Sequence, residues 1–301
     1  MFKGSITALI TPFQEGEIDW KSFEKHVEWQ IESGIHGLVP VGTTGESPTL
    51  SHEEHHAVVK RCIEITNGRV PVIAGSGSNS TREAIALTQF AQNSGADAAL
   101  IVAPYYNKPT QEGLYQHYKA IHDATDIPIV LYNVPGRTVI EFTVETVCRL
   151  AELPRVVAIK DATSNLERQT LIRNRLGDFC QLSGEDGTAA AFLAQGGHGC
   201  ISVTSNIAPA LCSQMQVAWQ KGDLKSFADI RDRLTPLHKS LFCETSPAPV
   251  KYAASILGFG TDEVRAPLLP ASAEARAQVH AALEFAGLLS GGGNATLRAH
   301  G

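Results

Sequence analysis

The stretch Val156-Val157-Ala158-Ile159-Lys160 sets four apolar residues in a row and ends them on an amine. Such a run is too short for an ordinary helix, and it does not alternate polar with apolar. It predicts a parallel strand covered on both faces. Seven similar runs lie at 5–10, 37–41, 70–74, 98–103, 127–132, 179–183 and 199–203. Their spacing, roughly 20–35 residues, is what successive βα units require. Helical punctuation fills the intervals. Asp19 is placed to cap a helix carrying Trp20, Phe23, Val27 and Ile31 on one face, with Gly34 as its stop. Ser51 and Glu54 form a capping-box pattern ahead of Val58, Cys62 and Ile65. Further helices are predicted over 81–93 and 111–124, then over 209–221, 224–242, 250–257 and 273–289.

The predicted fold is therefore α/β: a (β/α)8 TIM barrel over 1–222, a C-terminal helical region over 223–290, and a flexible tail over 291–301 that opens on Gly291-Gly292-Gly293. An open doubly wound sheet is the rival. The count of eight disfavours it, as does Gly75-Ser-Gly77-Ser-Asn-Ser80, which has only two of the three glycines of a dinucleotide fingerprint. The composition, 43% hydrophobic and 19% charged, is that of a soluble chain able to bury a large core. A net charge of −6 without a long basic run argues against nucleic acid or a membrane surface as partner. The apolar N-terminal stretch is too short to span a bilayer and runs into Glu15, Glu17 and Asp19. Six scattered cysteines with no Cys-x-x-Cys read as reduced thiols and predict a cytoplasmic protein.

In such a barrel the chemistry gathers where the strands end. Lys160 ends the sixth. An amine there loses hydration, which disfavours the ammonium and leaves a lone pair able to attack a ketone. A structural lysine paired with Asp161 or Glu185 is the alternative, and the residue alone does not choose between them. Tyr132 ends the neighbouring run; it either relays protons or merely packs its ring. Thr44 is a partner for that relay or a local turn hydroxyl. Gly42 and Gly45 flank a loop whose N–H groups can converge on a carboxylate or phosphate. Arg137 offers a forked donor to a second carboxylate, unless it is only a solvated turn arginine. His52-Glu53-Glu54-His55-His56 matches the spacing of a zinc-hydrolase helix, but in a histidine-rich helix start with no third ligand in view, so no metal is expected.

Together, Gly42-Thr-Thr-Gly-Glu46, Pro104-Tyr-Tyr-Asn-Lys-Pro109, Tyr132-Asn-Val-Pro-Gly-Arg-Thr138 and Ile159-Lys-Asp-Ala-Thr163 resemble the 4-hydroxy-tetrahydrodipicolinate synthase (dihydrodipicolinate synthase) family of Schiff-base, pyruvate-dependent aldolases. The similarity spans about residues 2 to 289, with the motifs in the family's order. The resemblance implies that pyruvate condenses with L-aspartate 4-semialdehyde through a Schiff base on Lys160, feeding diaminopimelate and lysine synthesis. It implies Tyr132, Thr44 and Tyr106 as proton relay, with Tyr106 reaching into a neighbouring subunit. It assigns Thr43 and Thr44 to the pyruvate carboxylate, Arg137 to the semialdehyde carboxylate, and Gly184 and Ile201 to backbone lining. No metal or organic cofactor is implied, and a homotetramer, a dimer of dimers, is. Ser47, Pro48, His52, His55, Asn79, Glu83 and Tyr105 match positions that bind L-lysine as an allosteric inhibitor in feedback-sensitive members. Ser246 departs from the family pattern, standing where an asparagine is common, and the segment between Lys160 and Gly184 is one residue shorter than in some members. Sialate lyases and 2-keto-3-deoxy sugar-acid aldolases share the lysine and tyrosine and remain alternatives. So does a non-catalytic barrel that binds a 2-oxo acid, which intact Lys160, Tyr132 and Thr44 disfavour.

Overall fold

The computed structural model describes residues 2–289; Ser290 and the tail expected over 291–301 lie outside the described residues. Eight parallel strands form one sheet: β1 Gly4–Ala8, β2 Leu38–Val39, β3 Ile73–Gly75, β4 Ala98–Val102, β5 Ile129–Asn133, β6 Val156–Asp161, β7 Cys180–Ser183 and β8 Gly199–Ser202. Hydrogen-bonded neighbours run β2-β1-β8-β7-β6-β5-β4-β3. The two ends of that order meet. Leu38 N donates to Pro71 O at 2.9 Å, Gly75 N donates to Pro40 O at 3.1 Å, and Leu38 bridges Val72 in parallel. The sheet is thereby closed into a barrel, with no free edge to protect.

Several strands are shorter than their apolar runs, for local reasons. β2 stops at Val39 because Pro40 has no N–H to give and Val41 turns to φ +49. β3 starts only after Pro71 for the same lack of a donor. β1 ends before Ile10, whose N–H goes to the Asn206 side chain at 3.0 Å. A two-stranded hairpin, Phe13–Gln14 with Glu17–Ile18, was not foreseen; it turns on Glu15 and Gly16, both at positive φ.

The helices follow the expected punctuation: α1 Trp20–Glu32, α2 His52–Thr66, α3 Thr81–Ser94, α4 Gln111–Ala124, the short α5 Pro135–Thr138, α6 Val144–Ala151, α7 Leu166–Leu176, α8 Ala189–Ala194, α9 Pro209–Lys221, α10 Leu224–Ser240, α11 Ala248–Ile256 and α12 Ala273–Phe285. Asp19 accepts from Ser22 N at 3.0 Å, and Ser51 with Glu54 makes a complete capping box. α10 and α12 end at Ser240 and Phe285, short of the expected Phe242 and Leu289. Strand alternation sorts the core into two shells. Ile6, Leu100, Val130, Ala158, Leu182 and Ile201 fill the barrel interior. Phe23, Val58, Leu114, Val147 and Ile172 pack the helices onto the outside. A further cluster unites α9 to α12 with Ile10 and Val203.

Candidate active site

Register places the two principal residues side by side: Tyr132 on β5 is paired with Lys160 on β6, and Lys160 with Leu182 on β7. Both Tyr132 and Lys160 are 6% exposed, and the Lys160 Nζ lies 4.2 Å from the centroid of the Tyr132 ring. One position on, the side chains point outward. Asp161 accepts from Thr163 N at 2.9 Å and Asn133 Nδ2 at 3.2 Å, and meets Arg168 Nε of α7 at 3.4 Å. Alternation thus denies Lys160 its neighbour as ion partner. Among the described residues no carboxylate lies within ion-pair distance of its amine.

The loop after β2 holds the second element. Gly45 N donates to Gly42 O at 3.1 Å, Glu46 N to Thr43 O at 3.1 Å, and Ser47 N to Gly42 O at 3.4 Å. Those bonds use up the later amides of the loop. Among the described residues the amides of Thr43 and Thr44 donate to nothing, which leaves two adjacent N–H groups for an anion. The loop is bracketed by two non-glycine residues in the left-handed region, Val41 at φ +49 and Glu46 at φ +56. For a β-branched residue this is costly, about 1–3 kcal/mol, and persists only where surroundings enforce it. Gly75 does so at one end: a Cβ there would sit 2.3 Å from Val41 O. Thr11 Oγ1 holds Gly45 O at 2.8 Å.

Gly184 follows β7 and faces the lysine; a Cβ on it would lie 3.0 Å from Lys160 Cε and 2.7 Å from Ala162 Cβ. Ile201 is 1% exposed among the interior residues of β8. Asp186 clamps the end of that strand, accepting from Ser202 Oγ at 2.5 Å, Val203 N at 2.8 Å and Thr204 N at 3.0 Å. Arg137, exposed on α5, shares with Lys160 an influence on Glu185. Burial and the neighbouring Asp186 push the Glu185 carboxyl above its ordinary range, while Lys160 and Arg137 pull it back. Sequence reading offered Glu185 only as an ion partner of Lys160, and among the described residues the two do not come within ion-pair distance.

The three hydroxyls expected to form a relay are not joined. Among the described residues no hydrogen bond links Thr44, Tyr132 and Tyr106. Thr44 and Tyr132 are buried, whereas Tyr106 is 87% exposed. It occupies a γ-turn closed by Asn107 N to Tyr105 O at 2.9 Å, with φ +72. The turn leaves the side chain open to solvent.

The residues matched to lysine binding are only partly assembled. His52 Nε2 lies 2.9 Å from Glu83 Oε1, and Ser78 Oγ donates to Glu83 Oε2. Asn79 O accepts from Asn107 Nδ2 at 2.8 Å, beside the exposed Tyr105. Burial lowers the His55 pKa to about 4, against the opposing pull of its hydrogen bond to Gly75 O at 2.9 Å. Ser47 and Pro48 stand at the surface on a 3-10 turn. The zinc-like spacing sends its histidines to separate partners, His52 to Glu83 and His56 flat on Phe90 with ring centroids 3.7 Å apart.

Comparison with known proteins gives the setting. The family profile described as "Dihydrodipicolinate synthetase family" matches residues 1–286. The 4-hydroxy-tetrahydrodipicolinate synthase of Rhodospirillum centenum is 63% identical over 291 residues, covering 96% of this chain and 100% of the relative. The chloride-inhibited dihydrodipicolinate synthase of Acinetobacter baumannii, solved in complex with pyruvate, superposes with a TM-score of 0.94 at 48% identity over 96% of this chain and 100% of that one. The enzyme of Cyanidioschyzon merolae, solved with lysine bound, gives 0.93 at 39% identity over 96% and 99%.

Proposed function

The chain belongs to the dihydrodipicolinate synthetase family, and on that premise we propose that it condenses pyruvate with L-aspartate 4-semialdehyde to 4-hydroxy-tetrahydrodipicolinate through a Schiff base on Lys160. The observation that carries this reading is the unpaired, buried amine of Lys160 against the Tyr132 ring. Nζ adds to the pyruvate carbonyl, and the carbinolamine loses water to give an iminium. The iminium withdraws electrons from the methyl group, which gives up a proton to form the enamine. The enamine carbon attacks the aldehyde carbon of the semialdehyde. Attack of the substrate's own amine on the iminium carbon then closes the ring and releases Lys160.

In this proposal the free amides of Thr43 and Thr44 receive the pyruvate carboxylate, and Arg137 receives the carboxylate of the semialdehyde. Gly184 and Ile201 line the pocket with backbone. Tyr132 and Thr44 move protons in and out of the carbinolamine. Tyr106 completes the relay from a second copy of the chain, a role supported by its exposure and its strained turn. The assembly is then a homotetramer built as a dimer of dimers. L-Lysine is proposed as feedback inhibitor at the cluster around His52, His55, Asn79, Glu83 and Tyr105. The catalytic unit is the barrel, 1–222, and the helical region, 223–290, supports it. Six unpaired cysteines support a reducing, cytoplasmic setting; among the described residues no helix is long and apolar enough to cross a membrane.

A turnover assay tests the reading. Purified protein given pyruvate and L-aspartate 4-semialdehyde is expected to yield the heterocycle, with far slower cleavage of N-acetylneuraminate or keto-deoxy sugar acids. Turnover of a sugar acid and none of the semialdehyde would overturn it.

A further inference from the structure

Glu46 and Lys251 form an ion pair with no exposure to speak of: their side chains are 1% and 0% accessible, and Nζ lies 2.6 Å from Oε1. No other ion pair among the described residues is buried so completely; the next, Arg168 with Asp161, is 9% exposed on each side. Taking two charges out of water is costly unless each is well satisfied. Glu46 is satisfied on both oxygens, while Lys251 has one hydrogen bond and a ring face, and burial lowers its pKa to about 8. Glu46 Oε2 accepts from Arg265 N at 2.9 Å, and Lys251 Nζ stands 4.0 Å over the Phe13 ring. Arg265 stacks on the same ring at 4.4 Å and donates to Glu54 Oε2 and Thr49 O at 2.7 and 2.9 Å.

The position of the pair gives it a use beyond stability. Lys251 lies on α11, 205 residues along the chain from Glu46. Glu46 is the last residue of the Gly42 loop, its backbone held at φ +56 with its N–H on Thr43 O at 3.1 Å. Among the described residues its side chain is the part of that strained turn hydrogen-bonded to the C-terminal region. If the grip slackens, Glu46 relaxes toward ordinary backbone, and the Thr43 and Thr44 amides move with it. We propose that the buried Glu46–Lys251 pair is a positioning device, fixing from outside the pocket the loop that receives the 2-oxo acid carboxylate. The proposal rests on the reading of that loop as the carboxylate site. Neither residue is placed against substrate.

Reductive trapping of two ketones on the whole protein tests it: pyruvate, and hydroxyacetone, which has no carboxylate. Glu46→Gln keeps an acceptor for Arg265 N and removes the charge. We expect its pyruvate trapping by cyanoborohydride to fall about tenfold with hydroxyacetone trapping unchanged, so that the preference for pyruvate falls by the same factor. The double substitution Glu46→Gln with Lys251→Met buries no charge, so it serves should the single variant fail to fold. It is expected to lose the same preference. An unchanged preference in either folded variant overturns the proposal, as does an equal loss for both ketones, which would mark a general defect. Failure of the underlying reading shows separately, in the unsubstituted protein, as no adduct or no preference for pyruvate, and removes the proposal with it.

Discussion

Gly184→Ala probes how tightly the Lys160 amine is held. A Cβ at this position would lie 2.7 Å from Ala162 Cβ and 3.0 Å from Lys160 Cε. Carbon atoms pack best at about 3.5–4.0 Å, so the neighbours must give way by roughly 0.5–1 Å. Ala162 follows β6 directly, with its N–H on Asn133 O at 2.8 Å, and cannot retreat without disturbing the strand. The Gly184 turn must therefore shift off Ala162, and the lysine stem must yield at its own contact. Overpacking of this kind costs about 1–3 kcal/mol of stability, which in a chain of this size lowers Tm by roughly 2–10 °C. The larger effect falls on reactivity, because a displacement near 1 Å at a reacting group costs up to ~100-fold. The assay is the rate of borohydride-trapped pyruvate adduct on Lys160, measured beside a thermal melt. An adduct formed roughly 10- to 100-fold more slowly, in a protein that still melts cooperatively, is expected. Trapping at the unsubstituted rate would refute the contact between Gly184 and Lys160 as a constraint on the amine.

Tyr106→Asn suits the left-handed turn without the ring, so thermal stability should hold while kcat falls by about 10- to 100-fold and the Lys160 adduct still forms; unaltered kcat would remove Tyr106 from the relay. Burial holds His26, His55 and His117 at pKa values of about 4. The unfolded chain protonates these groups first, near pH 6.5, so stability is full above that and drops as pH falls toward 4, by about 1.4 kcal/mol per pH unit for each histidine as an upper figure. Melting curves at pH 7 and pH 5 that coincide would contradict this. Millimolar L-lysine should depress turnover, and Glu83→Gln should relieve it; full activity throughout a lysine titration would dismiss the regulatory site.

Sequence carried the barrel because parallel strands buried on both faces are written as uninterrupted apolar runs, and all eight runs became strands. Their ends were less legible, since Pro40 and Pro71 remove ladder donors at the seam where the barrel closes. Lys160 and Tyr132 were readable as strand ends, and their pairing follows from adjacent register. The choice between nucleophile and ion pair was not readable from one residue; alternation turns Asp161 toward Arg168 and leaves Lys160 with no carboxylate at ion-pair distance among the described residues. What escaped is long-range. Nothing in Ser246-Pro-Ala-Pro-Val-Lys251 announces that its lysine meets Glu46, because no local period links residues so far apart. The positive φ of Tyr106 has no local signal in the sequence either, although the resemblance already implied that this residue reaches outward.

The central claim is that Lys160 is the nucleophile. Incubation with pyruvate and borohydride, followed by peptide mass mapping, is predicted to place a single reduced adduct on the peptide carrying Lys160, and Lys160→Met is predicted to abolish it in a folded protein. A folded protein that acquires no adduct, or acquires it on another lysine, would contradict the account.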